Sequence, residues 1–353
     1  MNKIISVINP KGGSAKTTTA VNLAAGLAIR NKKVLFVDND PSGDGSAHLL
    51  PEDIKVGDNI TSLYNSTIQE NYEHSLREYT YQSIVHGLDI VPADISLVSL
   101  DLEIDNDPNR NILLKKAINH RTTSDYDYVI IDTPPSIGRY LFNSLAVADR
   151  VIIPVSEYLS IKEISNYQYL IKCFSRDYNP NLKIDSIIMT MVDENATMFK
   201  DLREITEDIF GDKVCKTSIP RSVKFSEAPS YNQCIYDYAP ESRAAVQHMK
   251  LVDELLEKWE REAETEFSKP NVKVVEDIDD VFLMAKSLHR KRKENIVFLG
   301  ATISEKNMRY IDTVMKMMGT TNKSKAVKFI LEEYWASHGK EVNKQARKAS
   351  KNC

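Results

Sequence analysis

The chain has 353 residues, of which 42% are hydrophobic and 8% aromatic, and its formal net charge is −4. This length suits about two domains, and the composition is that of a folded protein with a sizeable core. No apolar run approaches the ~18 residues of a membrane span, and the four cysteines form no C-x-x-C pair. We therefore expect reduced thiols in the cytoplasm, and neither a disulfide scaffold, a zinc site nor an iron–sulfur cluster.

The first predicted element is a short buried strand over residues 4–8, which leaves no room for a signal peptide. A glycine-containing loop follows, and then an apolar helical pattern over residues 20–28. Strand, glycine loop, Lys-Thr and helix is the layout of a phosphate-binding loop, in which backbone N–H groups, a lysine and a magnesium-binding hydroxyl collect phosphates. The loop residues are Lys11, Gly12, Gly13, Ser14, Ala15, Lys16, Thr17 and Thr18.

The loop departs from the strict pattern G-x-x-x-x-G-K-[ST] at two positions. Pro10 and Ala15 stand where that pattern has glycine. The loop fits instead a deviant form in which a lysine, here Lys11, directly precedes a glycine pair. An ordinary glycine turn before a helix is the alternative interpretation.

Strands and helices alternate from residue 1 to about residue 255. Continuous β-branched runs between helices predict an α/β fold, with a mostly parallel sheet covered by helices on both faces. Ligands of such sheets bind at the carboxyl ends of the strands. Further strands are predicted at residues 33–37, 88–91, 128–131, 150–154 and 186–189, among helices that include residues 161–177 and 198–210.

Carboxylates follow two of these strands. Asp38 and Asp40 leave the second strand at positions i and i+2, where they suit a magnesium ion and an attacking water. A turn rich in Asp, Asn, Pro and Gly is the plainer alternative. Asp132 caps an apolar strand as a Walker-B aspartate does, with a helix N-cap as its alternative.

These motifs together resemble the ParA/MinD family of deviant-Walker P-loop ATPases, and specifically ParA-type partition proteins. The resemblance covers about residues 1–260. It is carried by the segments at residues 11–19, 38–41, 128–136 and 219–230, the last containing Ser-Glu-Ala-Pro-Ser at 226–230.

The resemblance implies ATP and Mg²⁺ as cofactors, and a role for each matching residue. Lys16 would bind the β- and γ-phosphates, and Lys11 would reach the phosphates of the partner subunit in a homodimer. Asp40 would position or activate the hydrolytic water. Magnesium would be held near Thr17, Asp38 and Asp132, and the adenine would be bordered by Met191, Asp193, Pro220 and Arg221.

The resemblance also implies DNA and a ParB-type centromere-binding protein as partners, and a nucleoid-associated location. Lys224 matches a basic position that binds DNA in the family, and Lys213 is a second candidate. Two departures bear on nucleotide affinity and turnover: Ala15 adds a Cβ where the backbone should approach the phosphates, and Ser42 stands where the family commonly has glutamine.

The C-terminal part lies beyond the resemblance and is strongly basic. Residues 281–353 carry 16 Lys and Arg against 6 Asp and Glu, a net charge of +10, so the rest of the chain carries −14. A basic tail on an acidic body indicates a polyanionic partner, although a solvated basic face is the alternative. We expect an ATPase domain over residues 1–260, a charged helical linker over 261–294, a ribbon-helix-helix-like domain over 295–338 and a basic tail over 339–353.

The ribbon-helix-helix prediction comes from a strand at residues 296–303 and helices at 305–318 and 323–337. Such a small unit requires dimerisation to bury a core. DNA contacts are expected from Arg290, Lys291, Arg292, Thr302 and Lys323. The strand lacks the Arg, Asn or Gln of direct base readout, so mainly electrostatic binding, or a dimerisation or partner module, stay open.

We therefore predict an ATP-dependent partition ATPase that dimerises on ATP binding, binds DNA and is reset by hydrolysis. One alternative is a nucleotide-controlled repressor of its own operon. A MinD-like membrane ATPase is a second alternative, but residues 340–353 lack the apolar face of a membrane-binding helix, so no membrane partner is expected. The cysteine spacing opposes a redox P-loop enzyme.

Overall fold

The fold is taken from a computed structural model, which describes residues 2–268 except Pro10, residues 71–74, residues 157–158 and Asn195. The expected ribbon-helix-helix domain and basic tail lie outside the described residues. So do five residues of the expected DNA contacts, namely Arg290, Lys291, Arg292, Thr302 and Lys323.

A seven-stranded sheet forms the centre of the described chain, with the strand order β3-β4-β2-β5-β1-β6-β7. All neighbouring strands pair in parallel except β3, a two-residue edge strand antiparallel to β4. This confirms the predicted mostly parallel sheet. The strands are β1 Lys3–Val7, β2 Val34–Asp38, β3 Tyr81–Gln82, β4 Leu88–Val91, β5 Tyr128–Asp132, β6 Arg150–Val155 and β7 Lys183–Met189.

Helices connect these strands. The α-helices are α1 Lys16–Ile29, α2 Asp44–Leu49, α3 Ile60–Ile68, α4 Asp101–Asn106, α5 Leu113–Ala117, α6 Arg139–Val147, α7 Leu159–Asp177, α8 Thr197–Phe210, α9 Lys224–Glu227, α10 Ile235–Tyr238 and α11 Arg243–Ser268. Short 3-10 turns lie at Leu76–Tyr79, Ile95–Leu100, Gly211–Lys213 and Ala228–Tyr231. In the part of the chain that the structure describes, no helix has both the length and the apolar character needed to cross a membrane.

Both faces of the sheet are buried, because successive side chains of each strand point to opposite faces. Ile5 and Phe36 pack in the cluster formed with α1 and α11, which includes Trp259. Their neighbours Ile4 and Leu35 pack in the cluster on the other face, with residues of α3 to α6. The predicted helical cover on both faces is therefore confirmed.

The phosphate-loop helix α1 packs closely against α11 and α10. A Cβ on Gly26 would lie 2.6 Å from Val252 Cγ2 and 2.7 Å from the Tyr236 hydroxyl, so a larger residue there would displace these side chains. That hydroxyl donates to the carbonyl of Asn22 over 3.0 Å and lies 2.9 Å from Nδ1 of His248. Residues of α10 and α11 thus hold helix α1 at Asn22 and Gly26, away from its N-terminal turn.

The strand register brings the predicted site residues to one edge. Val7 and Asp38 each pair with Asp132, the last residue of β5, from the strands on either side. The loop of residues 8–15 leaves β1 at this same edge, since parallel strands share the direction of their carboxyl ends.

Candidate functional site

The loop before α1 is shaped to receive an anion. Gly13 and Ala15 both have left-handed backbone angles, with φ of 70° and 61°, and no side-chain hydrogen bond caps α1 at its N-cap, Ala15. A Cβ on Gly12 or Gly13 would meet no atom within 4 Å, so open space lies beside the loop. The Ser14 hydroxyl is buried and has no hydrogen-bond partner among the described residues. Free N–H groups at a helix N-terminus and an orphaned hydroxyl suit phosphate oxygens.

Lys16 lies inside the curve of this loop. Its Nζ donates to the backbone carbonyl of Lys11 over 3.2 Å, and the residue is 6% exposed. Burial lowers the pKa of Lys16, while the carboxylates of Asp132 and Asp40 oppose this shift. The lysine therefore carries its charge most easily when anions surround it.

Two residues that sequence reasoning missed hold the loop to the sheet. The Asn9 side chain donates to the carbonyl of Pro154 over 2.7 Å and accepts from the N–H of Lys11 over 2.9 Å. The Thr133 hydroxyl donates to the carbonyl of Val7 over 2.8 Å. A buried polar residue directly after a buried strand was the available signal for Asn9, but its partner is 145 residues away.

Asp132 carries the feature that best fits a metal ion. Its Oδ1 accepts from the N–H of Thr133 over 3.0 Å and its carboxyl hydrogen-bonds to the Thr17 side chain, whereas Oδ2 is buried and has no partner in the described chain. Burial, and then the charge of Asp38, raise the pKa of Asp132 well above its ordinary value. A cation here would relieve both penalties.

The oxygen atoms at this site suit Mg²⁺, to which they would supply one or two protein ligands. Among the described residues no group of three or more His, Cys, Asp or Glu side chains is placed to hold a metal ion. Mg²⁺ does not need such a cage, since it commonly keeps waters and takes one or two protein oxygens together with substrate phosphates. The Thr17 hydroxyl and the free oxygen of Asp132 are oxygens of this kind.

Asp38 is engaged differently from Asp132. Its Oδ2 accepts from the Ser46 N–H over 2.8 Å and from the Ser46 hydroxyl over 2.7 Å, and its Oδ1 accepts from the N–H of Asp40 over 3.2 Å. Burial raises the pKa of Asp38 to about 6, and the hydrogen bonds from Ser46 and Asp40 oppose the rise. The metal-ligand role expected of Asp38 stays a prediction, because both of its oxygens already accept hydrogen bonds from Ser46 or Asp40.

Asp40 lies at the same edge and is 8% exposed. Its charge acts on both Lys16 and Asp132. Its Oδ1 accepts from the N–H of Ser42 over 2.9 Å, while the Ser42 side chain itself is exposed. The structure therefore brings Asp40, Lys16, Thr17 and Asp132 together.

The two segments expected to border the adenine are also brought together. Val192 forms a bridge with Pro220: its N–H donates to Ile219 O and its carbonyl accepts from the N–H of Arg221, each over 3.1 Å. Met191, two residues after the end of β7, has a left-handed φ of 53°. Their contact with a nucleotide stays a prediction.

The expected DNA-binding lysines that the structure describes lie on separate short elements, a 3-10 turn and the helix α9. Lys213 ends the 3-10 turn Gly211–Lys213 and is exposed. The Lys224 ammonium is 2.8 Å from Oε2 of Glu227, which also accepts from the Tyr238 hydroxyl over 2.8 Å. Lys224 thus carries an internal counter-ion.

Comparison with known proteins finds relatives over most of the described chain. A family model described as an AAA domain matches residues 2–184, about half of the chain. The sporulation initiation inhibitor protein Soj of Bacillus subtilis strain 168 is 36% identical over 256 residues, which cover 72% of this chain and 98% of that protein. The chromosome partitioning protein ParA of Myxococcus xanthus strain DK1622 is 35% identical over 260 residues, covering 73% of this chain and 89% of that protein.

A solved structure is also similar to this chain. The crystal structure of cobyrinic acid a,c-diamide synthase from Mycobacterium smegmatis, with bound ATP analogue and magnesium, superposes with a TM-score of 0.61 and 26% sequence identity. The match covers 74% of this chain and 96% of that one.

Proposed function

The chain belongs to the ParA/MinD family of P-loop ATPases, and on that premise we propose that it partitions DNA through an ATP-driven cycle of dimerisation, DNA binding and release. It is an ATPase of the partition type, and its cofactors are ATP and Mg²⁺. The similarity to Soj and ParA carries the proposed partition role. The structural observation that supports its ATP-dependent step is the orphaned Oδ2 of Asp132 beside Thr17, at the edge where the phosphate loop leaves the sheet.

Each residue at that edge has a distinct task in hydrolysis. The N–H groups at the start of α1 and the Lys16 ammonium bind and orient the phosphates. Thr17 and Asp132 would hold the magnesium, which when bound would supply positive charge to the phosphate oxygens. Asp40 positions the attacking water, and Asn9 keeps the loop in register with the strands.

Lys11 makes the cycle depend on two subunits. It directly precedes the open side of the loop at Gly12 and Gly13, and in a homodimer it reaches the phosphates bound by the partner subunit. A lysine at that position stabilises the charge of the transferred phosphoryl group, as an arginine finger does. ATP binding therefore assembles the dimer, and hydrolysis releases it.

DNA is bound by basic residues of the dimer and of the C-terminal part. We assign this role to Lys213 and Lys224 in the ATPase domain of residues 1–260, and to the ribbon-helix-helix-like domain of residues 295–338. The linker of residues 261–294 joins the two, and the basic tail of residues 339–353 adds charge. A ParB-type partner bound to the segregated DNA stimulates hydrolysis, and the protein acts at the nucleoid.

Light scattering of the full chain tests the first step. With Mg²⁺ and a non-hydrolysable ATP analogue we expect dimers, and with ADP we expect monomers. Lys16→Ala should bind no nucleotide, whereas Asp40→Ala should bind ATP, hydrolyse it slowly and stay dimeric. A chain that remains monomeric with the analogue bound would contradict the proposed cycle.

DNA retention tests the second step. The full chain should bind DNA in the presence of ATP, and a variant that lacks residues 281–353 should bind more weakly, with a smaller dependence on salt because fewer phosphates are neutralised. Equal affinity and equal salt dependence would show that residues 281–353 have a role other than DNA binding.

A further inference from the structure

We infer that Ser46 is a positioning residue for ATP hydrolysis, which fixes Asp38 and through it the backbone of Asp40. The inference rests on the proposed function, because it concerns the carboxylate that positions the attacking water. Ser46 lies in the first turn of α2 and is 4% exposed, and Asp38 is fully buried. Neither side chain is placed to contact solvent.

The first link joins Ser46 to Asp38. Both the backbone N–H and the hydroxyl of Ser46 donate to the same oxygen, Oδ2 of Asp38, over 2.8 and 2.7 Å. Two donors on one carboxylate oxygen fix the rotation of the carboxylate plane as well as its position. The other oxygen, Oδ1, then points to the N–H of Asp40, two residues further along the chain.

The second link fixes the direction of the Ser46 proton. The Ser46 hydroxyl oxygen accepts from the backbone N–H of Ala93, just after β4, over 2.8 Å. An N–H group can only donate, so the serine proton has to point to Asp38. Ser46 therefore ties the carboxylate to the end of a neighbouring strand rather than to a mobile surface group.

The third link reaches the hydrolytic residue. Oδ1 of Asp38 accepts from the N–H of Asp40 over 3.2 Å, and Oδ1 of Asp40 accepts from the N–H of Ser42 over 2.9 Å. Displacement of Asp38 thus moves the backbone that carries the Asp40 side chain. Misplacement by about 1 Å of a group that orients a reactant lowers turnover by about a hundredfold.

The packing of the turn before Ser46 supports the same role. A Cβ on Gly43, whose φ is +65°, would lie 2.7 Å from the carbonyl oxygen of Ala93. A Cβ on Gly45 would lie 2.8 Å from ring atoms of Phe36 and 3.2 Å from Oδ2 of Asp38. The turn that carries Ser46 is therefore closely packed against Ala93, Phe36 and Asp38.

The test compares Ser46→Ala, Ser46→Cys and Ser46→Thr in the full chain, with nucleotide affinity and steady-state turnover measured separately. Ser46→Ala should bind ATP within about threefold of the wild type, while kcat falls by about tenfold to a hundredfold. Ser46→Thr keeps the hydroxyl and should restore most of kcat. The kcat of Ser46→Cys should lie between those two values, because a thiol is a weak donor. This variant replaces Ser46→Ala in the test if the alanine variant does not fold.

A matched control separates positioning from stability. The Ser186 hydroxyl donates to Oδ2 of the buried Asp185 over 2.7 Å, as Ser46 does to Asp38, but belongs to β7 and not to the phosphate-loop edge. Ser186→Ala should lower the melting temperature comparably and leave kcat unchanged.

Wild-type kcat in Ser46→Ala, or equal losses of kcat and of ATP affinity, would overturn the inference alone. A wild-type chain that neither binds nor hydrolyses ATP would overturn the proposed function, and this inference with it.

Discussion

Replacing Asp132 with asparagine should stabilise the protein without nucleotide and weaken its response to Mg-ATP. Asp132 and Asp38 pair in register on neighbouring strands, so their charges are about 5 Å apart and repel by about 3 kcal/mol at an effective dielectric of 20. Keeping one of them protonated at pH 7 would cost about 4 kcal/mol, because the ordinary pKa of an aspartate lies about 3 units lower. Asparagine removes this term, but its buried amide costs about 1–2 kcal/mol if it finds no acceptor.

The free energy of unfolding should therefore rise by about 1–2 kcal/mol, which corresponds to a melting temperature about 2–4 °C higher. Mg-ATP at about 100 times its Kd should stabilise the wild type by about 2.7 kcal/mol. The variant lacks the orphaned oxygen that would meet the magnesium, so its gain should shrink to about 1 kcal/mol.

Thermal unfolding with and without Mg-ATP measures both effects. The matched control is Asp127→Asn, since Asp127 directly precedes the other end of β5, is exposed and accepts from the N–H of Lys33 over 2.8 Å. It should keep the full Mg-ATP shift. An Asp132→Asn variant with the wild-type Mg-ATP shift would refute the assignment of the metal to this oxygen.

Three further predictions concern the loop, a buried histidine and the DNA-binding surface. Ala15→Gly should raise the free energy of unfolding, measured in urea, by about 0.5 kcal/mol. It removes the cost of about 1 kcal/mol of a left-handed alanine, but glycine also gives the unfolded chain more conformational entropy, which offsets part of the gain. The control Ala25→Gly, inside α1, should lower the free energy of unfolding. Burial lowers the pKa of His248 to about 4, so only the unfolded chain binds the proton between pH 6.5 and pH 4, and the free energy of unfolding should fall by about 3 kcal/mol over that range; acid unfolding of His248→Gln should lack this component. Glu227→Gln should free Lys224 and raise DNA affinity about threefold with a steeper salt dependence in anisotropy titrations, while unchanged binding would exclude Lys224 from the surface.

The sequence was sufficient for the parallel core of the fold, because its strands are continuous β-branched runs that can only be buried on both faces. It missed β3, since a two-residue edge strand has no periodicity to detect. The family resemblance implied that Asp38 and Asp132 lie near one metal ion, and the structure pairs them because parallel strands end at one edge.

The residues that hold the site were harder to predict. Asn9 and Ser46 act through backbone groups at Pro154 and Ala93, which are distant along the chain, and no local pattern identifies such partners. At Ala15 the sequence indicated that a Cβ is unfavourable, but only the backbone angles show the reason, which is that this residue is left-handed.

Subunit mixing tests the central claim, that Lys11 acts on the phosphates of the partner subunit. Lys11→Ala and Asp40→Ala chains should each turn over ATP slowly when alone. In an equal mixture half of the dimers are mixed, and in each of these one site has its own Asp40 and the partner's lysine, so turnover should recover to about a quarter of the wild type. No recovery, with ATP binding intact in both variants, would contradict the claim.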